Sequence, residues 1–206
     1  MPMKKLTSLL MFVGLAFNVS GQEEPKNLKE AFKADWLIGT WESTNDDGQV
    51  SGQTFGWKIQ DVLIVRESKG NDGEVQGFGI ISLDVDEDKV LYHSFNNRYA
   101  SIGEIKFEGD KMIRTSSWKS KKLSEEELKS RIESIVANRL ASGAVQEAGV
   151  PELKQGIRNY FQRTSGTRRY TYKKQGEDKM VMTHATKNTS GEFVARDPVT
   201  LTRKKD

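Results

Sequence analysis

The chain has 206 residues, no cysteine and a nearly balanced charge, with 32 basic against 29 acidic side chains. This length fits a single domain behind a removable leader. The lack of cysteine excludes disulfides and the acylation of a bacterial lipoprotein. The near-neutral charge argues against a nucleic-acid-binding surface.

Residues 1–21 have the pattern of a signal peptide. Lys4 and Lys5 form a basic start, and the apolar run that follows, residues 6–19, is too short for a good membrane span. Val19 and Gly21 are small residues at the −3 and −1 positions of a cleavage site. We therefore expect cleavage after Gly21 and a secreted or periplasmic protein. An uncleaved anchor is the alternative; no later stretch is apolar enough to cross a bilayer.

Residues 22–35 are predicted to form a polar N-terminus followed by a short helix. Residues 22–27 are polar and are expected to be disordered. Leu28, Ala31 and Phe32 then recur at helical spacing, which predicts a helix from Leu28 to Ala34.

From Trp36 onwards the apolar residues alternate, and Gly, Asn and Asp clusters interrupt the alternation. This pattern predicts about ten short strands with short connections, which is typical of an antiparallel up-and-down barrel. The first strand begins near Trp36, and the others are 50–59, 62–69, 74–84, 90–96, 99–107, 112–118, 168–174, 179–186 and 199–203.

A helical hairpin is predicted at about 122–163, between the seventh and eighth strands. Ser124 and Glu127 form a capping box, and apolar residues follow at helical spacing from Leu128 to Leu140. Pro151 suits the first turn of a second helix. The hairpin is interpreted as a structural cover over the barrel; a ligand-gating lid and a docking surface for a protein partner are the alternatives.

Residues 36–43 read Trp-Leu-Ile-Gly-Thr-Trp-Glu-Ser. This opening, with the strands after it, resembles secreted bacterial lipocalin-like (calycin-type) barrels, and more distantly fatty-acid-binding proteins and nitrobindin. The resemblance implies a barrel over 36–206, a short helix that plugs one end, and a tryptophan, Trp41, packed across the floor. Two features depart from these families: Ser43 replaces a further glycine of nitrobindin, and the helical pair lies late in the chain.

Alternation along the strands also predicts a binding pocket. Small barrels often hold one ligand in a mostly apolar interior with a few polar anchors. Which face points inward depends on the register, and side chains that fill the interior completely are the alternative. The predicted ligand-binding residues are Phe55, Trp57, Arg66, Tyr92, Arg114, Trp118 and Tyr172.

Several other chemistries lack a sequence signal. No Gly-x-Ser-x-Gly motif is present, so a nucleophile–base pair is not predicted. His93 and His184 are isolated on separate strands, and haem ligation by either is the minor alternative to a structural role. The acidic stretch 84–88 lacks the Gly and Glu of a calcium loop, so a solvated turn is expected. We predict no metal and no cofactor.

The sequence thus predicts a secreted barrel that binds a small hydrophobic or amphipathic molecule without covalent chemistry. It predicts no nucleic acid partner and no membrane span. An interaction module that docks a protein through the helical hairpin is the first alternative. An enzyme with its active site in the barrel is the second, and the missing acid–base pair argues against it.

Overall fold

The structure, a computed structural model, describes residues 27–45 and 48–205. The predicted signal peptide at 1–21 and the polar residues 22–26 lie outside the described residues. Within the described ranges no helix is both long and apolar enough to span a membrane.

The described chain contains eleven strands, all in antiparallel pairs. Their bounds follow the sequence prediction closely, because Gly, Asn and Asp in the connections end each alternating run. The strands are β1 (Gly39–Thr44), β2 (Val50–Ile59), β3 (Leu63–Lys69), β4 (Val75–Asp84), β5 (Lys89–Asn96), β6 (Tyr99–Glu108), β7 (Lys111–Ser120), β8 (Ser165–Lys174), β9 (Lys179–Lys187), β10 (Phe193–Ala195) and β11 (Val199–Arg203).

Ten of these strands close into a barrel. Strands β1 to β8 pair with their neighbours in chain order, and β8 pairs with β9. Strand β11 then lies between β9 and β1 and closes the ring. The three residues of β10 pair with the other end of β9, at Ala185 to Lys187, and were not predicted. The predicted mainly β, antiparallel barrel of about ten strands is confirmed.

One end of the barrel is closed by the N-terminal segment. Helix α1 (Leu28–Ala31) is a single turn, shorter than predicted, and its N-cap Asn27 accepts a hydrogen bond from the Glu30 amide at 3.1 Å. Leu28 and Phe32 are buried, and the Phe32 ring packs edge-on against Trp57 and Phe107. The segment therefore plugs this end, as the resemblance implied.

Trp41 fills the barrel floor beside this plug. Its side chain is 1% exposed, and its Nε1–H donates to the Leu37 carbonyl at 2.8 Å. The Arg203 guanidinium lies 4.3 Å from the centre of the indole. The predicted structural role of Trp41 is confirmed.

The helical hairpin lies where it was predicted, as α2 (Glu125–Ala141) and α3 (Val150–Gln162). The Ser124–Glu127 capping box is formed, and Pro151 lies in the first turn of α3. The apolar faces of the two helices pack on each other and form a second core, separate from that of the barrel: Leu128, Ile132, Val136, Ile157 and Phe161.

Candidate functional site: an arginine-lined cavity

The barrel interior has an apolar half and a polar half. The apolar half adjoins the plug and is filled by packed side chains, among them Phe55, Ile64, Ile81, Met112, Tyr172 and Met180. Towards the open end the inward positions carry polar side chains instead: Ser68, Ser94, Asn96, Ser101, Ser116, Arg66, Arg114, Arg168, Tyr170 and His184. The apolar half is thus a core, and the cavity described next lies in the polar half.

A cavity of about 80 Å³ lies in this polar half. Strands β3 to β8 provide its walls, which include three arginines, four serines and three tyrosines, and no acidic side chain among the described residues: Arg66, Arg114, Arg168, Ser68, Ser94, Ser101, Ser116, Tyr92, Tyr99 and Tyr170. The hydroxyls of Ser94 and Ser101 are 2.7 Å apart.

Arg114 is the most buried of the three arginines, at 4% exposure. Its guanidinium lies between two aromatic rings, 4.1 Å from the centre of Tyr92 and 4.2 Å from that of Tyr170. Such cation–π contacts stabilise a desolvated cation by about 2 kcal/mol. The Nε of Arg114 is buried and has no hydrogen-bond partner within the described chain. This side chain therefore retains a donor that faces no acceptor.

Arg66 approaches the cavity from the opposite wall. Its Nε donates to Gln53 Oε1 at 3.0 Å and its Nη1 donates to the Tyr92 hydroxyl at 3.4 Å. Gln53 also accepts from the Tyr172 hydroxyl at 3.4 Å. These bonds fix the orientation of Arg66 and mark the boundary with the apolar half.

Arg168 lies nearer the open end, at 9% exposure. Its guanidinium lies 4.5 Å from the Tyr99 ring centre and 4.8 Å from that of Trp118. Within the described ranges none of the three cavity arginines forms an ion pair with a carboxylate. The cavity therefore combines three cations with no protein counter-ion.

The arginines change the ionisation of their neighbours. Burial alone would raise the pKa of Tyr92, but the charges of Arg114 and Arg66 outweigh it, so this pKa lies below its usual value. Burial and the charges of Arg168, Arg196 and Arg114 lower the pKa of His184 to about 4. In both groups the arginine charges lower the pKa, which agrees with a positive potential at the site.

A larger chamber of about 550 Å³ opens above the cavity. The two spaces share four wall residues: Asn96, Tyr99, Arg168 and Tyr170. Trp118 and His184 line the chamber, and Tyr160 of α3 brings the helical hairpin to its edge. The barrel mouth thus leads directly into the arginine-lined cavity.

Two glycines allow aromatic rings to lie against the barrel wall. A Cβ on Gly79 would lie 2.6–2.9 Å from atoms of Tyr92, and one on Gly166 would lie 2.9–3.2 Å from atoms of Trp118. Contacts this short would displace either ring. The place of Gly79 opposite Tyr92 therefore gives it a packing role.

The seven residues predicted to bind a ligand are distributed over both halves. Arg66, Tyr92 and Arg114 line the cavity, and Trp118 lines the chamber. Phe55 and Tyr172 are fully buried in the packed half, where their rings touch edge-on, and Trp57 packs on Phe32 near the plug. Ligand contact by these seven residues stays a prediction.

Four residues of the site are absent from the predicted ligand-binding residues: Ser101, Arg168, Tyr170 and His184. Arg168 shares the inward parity of Tyr170 and Tyr172 on β8, so alternation alone could have selected it. His184 stacks on Tyr170 with ring centres 4.5 Å apart, and its Nε2 has no partner among the described residues.

No metal-binding cluster of His, Asp or Glu is present among the described residues. His93 pairs with Ile80 and Ile102 on neighbouring strands, away from the cavity lining. Asp84 Oδ1 accepts from the backbone amides of Asp86 and Glu87, which agrees with the predicted turn.

Comparisons with known proteins assign no family to this chain. No family model matches the sequence, and no match is found among curated proteins. The fold is similar to the crystal structure of Rv2717c from M. tuberculosis, with a TM-score of 0.41 and 10% identity. The match covers 83% of this chain and 94% of that chain. Similarity at this level assigns neither a ligand nor an activity.

Proposed function

We propose that the barrel binds a small amphipathic molecule without covalent chemistry, and that an anionic head group of this molecule enters the cavity beside Arg114. The observation that carries the proposal is the buried guanidinium of Arg114: among the described residues its Nε has no acceptor, and the cavity lining holds no carboxylate. Burying a charge without a partner is costly, and a charge-assisted bond to an anion offsets that cost.

The sizes of the two spaces support this orientation. A cavity of about 80 Å³ suits a head group such as a carboxylate and is too small for a whole ligand, which needs about 300–1,000 Å³. The chamber of about 550 Å³ falls in that range and is lined in part by Trp118 and Tyr99. The apolar body would therefore lie in the chamber, and Phe55 and Tyr172 would support the site from below.

Titration with an environment-sensitive fluorescent fatty acid tests the proposal. We expect saturable binding, and we expect Arg114→Met to weaken it by about tenfold or more, because a charge-assisted contact is worth roughly 1.5–3 kcal/mol. Circular dichroism should show an unchanged fold. Lys173→Met, which removes an exposed charge on the same barrel wall, is the matched control and should bind normally.

Two results would contradict the proposal. The absence of saturable binding to the unmodified protein would remove the amphipathic anion as a ligand class. Equal affinities of the unmodified protein and Arg114→Met would separate Arg114 from the head group.

We also propose that the protein acts outside the cytoplasm, on the evidence of the leader-like pattern of residues 1–21. N-terminal sequencing of the exported protein should begin at Gln22. An intact Met1 recovered from the cytosolic fraction would contradict export.

A further inference from the structure

The mouth of the barrel carries a second group of cations above the cavity. Five basic side chains line the chamber, and its described lining holds no acidic residue: Arg98, Arg163, Arg168, Lys187 and Arg196. The whole chain has 32 basic and 29 acidic side chains, so a surface patch of average composition would hold both signs. The one-sided charge of this lining needs a reason beyond solubility.

Two of the five basic side chains pack against aromatic rings of the protein. The Arg98 guanidinium lies 4.7 Å from the Tyr160 ring centre and 4.2 Å from that of Phe161, and it donates to the Tyr160 carbonyl. Arg168 is stacked on Tyr99 and Trp118. Among the described residues, Arg163, Lys187 and Arg196 form no ion pair and are exposed at the rim.

The strand register gives the separation of the rim cations from the cavity. Arg114 pairs with Tyr170, Tyr170 pairs with His184, and the Arg196 amide donates to the His184 carbonyl at 2.8 Å. These four residues form one row across the sheet. Three strand spacings of about 4.8 Å place the ends of the row about 14 Å apart along the wall. Arg163, which precedes β8, lines the same chamber.

We infer that the ligand carries a second anionic group, which Arg163 and Arg196 hold at the rim while Arg114 holds the first group in the cavity. The ligand class is thus a dianion whose two charges are joined by an apolar body, as in an α,ω-dicarboxylate. This inference rests on the proposed function, because it assigns the second end of the same ligand. The chamber walls Trp118 and Tyr99 supply apolar surface between the two charged ends.

Isothermal titration with two probes of equal chain length tests the inference. The probes are dodecanoic acid and dodecanedioic acid, measured at one ionic strength because salt screens exposed charges. We expect the diacid to bind about fivefold or more tightly than the monoacid, since two partly exposed ionic contacts are added.

The double variant Arg163→Met/Arg196→Met should reduce this preference to about twofold or less, because it weakens diacid binding more than monoacid binding. Arg114→Met should weaken both probes. Lys111→Met/Lys173→Met is the matched control: it removes two exposed charges that pair across β7 and β8, away from the chamber lining, and should preserve the preference.

The outcomes separate this inference from the proposed function. Arg114-dependent binding of the monoacid with no gain for the diacid would overturn the second anionic group and leave the proposed function in place. A preference that survives in the rim variant, or is lost in the control variant, would also overturn it. If neither probe binds, both proposals fail.

Discussion

Trp41 connects the plug, the first strand and the last strand through one side chain. The indole is buried, its N–H donates to the Leu37 carbonyl, and Trp36 packs edge-on against it with ring centres 6.5 Å apart. On its other side, Arg203 donates to the carbonyls of Trp36 and Ile38 at 2.5 and 2.6 Å. The closed end of the barrel therefore depends on a few residues that are far apart in the sequence.

Trp41→Ala should lower the free energy of unfolding by about 3–5 kcal/mol, as for other large buried aromatics. Trp41→Phe keeps most of the apolar body and loses the hydrogen bond to Leu37, so a smaller loss of about 1–3 kcal/mol is expected. Urea unfolding followed by far-ultraviolet circular dichroism measures both. A loss below about 1 kcal/mol for the alanine variant would contradict a buried role.

His184 should make the fold sensitive to mild acid. Its pKa is near 4 in the folded protein, because of burial and the charges of Arg168, Arg196 and Arg114, and near 6.5 in an unfolded chain. As the pH falls from 6.5 towards 4, the unfolded chain binds a proton that the folded protein does not, so stability decreases.

In His184→Gln that decrease should be shallower than in the unmodified protein. Urea midpoints at pH 7, 6 and 5 provide the comparison, above the range where most carboxylates titrate. Parallel midpoints in the two proteins would show that His184 is protonated equally in both states.

The candidate site shows what residue patterns can predict. Alternation identified the inward face, and this found Arg66, Tyr92 and Arg114. Alternation does not tell how far along the barrel axis a residue lies. Phe55 and Tyr172 have the same parity as the cavity residues and were therefore predicted to bind the ligand, but they lie in the packed half. The position of a residue along the axis depends on the tilt of its strand. Whether that level of the barrel is filled depends on the plug, whose Leu28 and Phe32 are part of the packed core.

Among the elements, the helical hairpin depends least on the barrel. Its two helices pack on each other, and Arg98 on the loop between β5 and β6 is a main contact to the barrel. Ser120, at the end of β7, donates to the carbonyls of Arg163 and Thr164 and holds the exit of α3. Such an element can open locally while the barrel stays folded.

Arg98→Ala should speed amide exchange in α3 and leave exchange in β2 to β7 unchanged. The reason is the loss of the contacts to Tyr160 and Phe161, which join α3 to the barrel. Hydrogen exchange with mass spectrometry measures it. Arg169→Ala, which removes a similar contact to Phe193, is the control and should not affect α3. Exchange of α2 at the rate of an unfolded chain in the unmodified protein would contradict a folded hairpin.

The elements themselves were largely predictable. The predicted bounds of β2 and β11 agree with the structure to the residue. The capping box and Pro151 correctly predicted where the two long helices begin. Strand β10 was missed because three residues are too few to show alternation, and its one strand partner in the described chain is β9. The helical hairpin was predicted, but its separate core was not, because an apolar face does not specify its partner.

At the scale of the whole molecule, closure depends on the last strand. Strand β11 pairs with both β9 and β1, and its Leu201 is buried in the barrel core. Without it, two edges would be unpaired and the plug would lose Arg203.

A chain that ends after Pro198 should therefore lose cooperative unfolding, as measured by a urea titration. A chain that ends after Arg203 is the control. It removes Lys204, whose side chain makes an exposed ion pair with Glu42, and should unfold cooperatively. A cooperative transition in the shorter chain would show that the barrel closes without β11.

The plugged floor also has a kinetic consequence. Because the plug fills one end of the described barrel, a ligand of the proposed kind would enter and leave at the open end, and an incoming molecule could not push the resident one out through the far side. One ligand molecule must then leave the barrel before the next one can enter. The rate of replacement should be independent of the concentration of the competitor, and the residence time of the bound molecule should be set at the mouth.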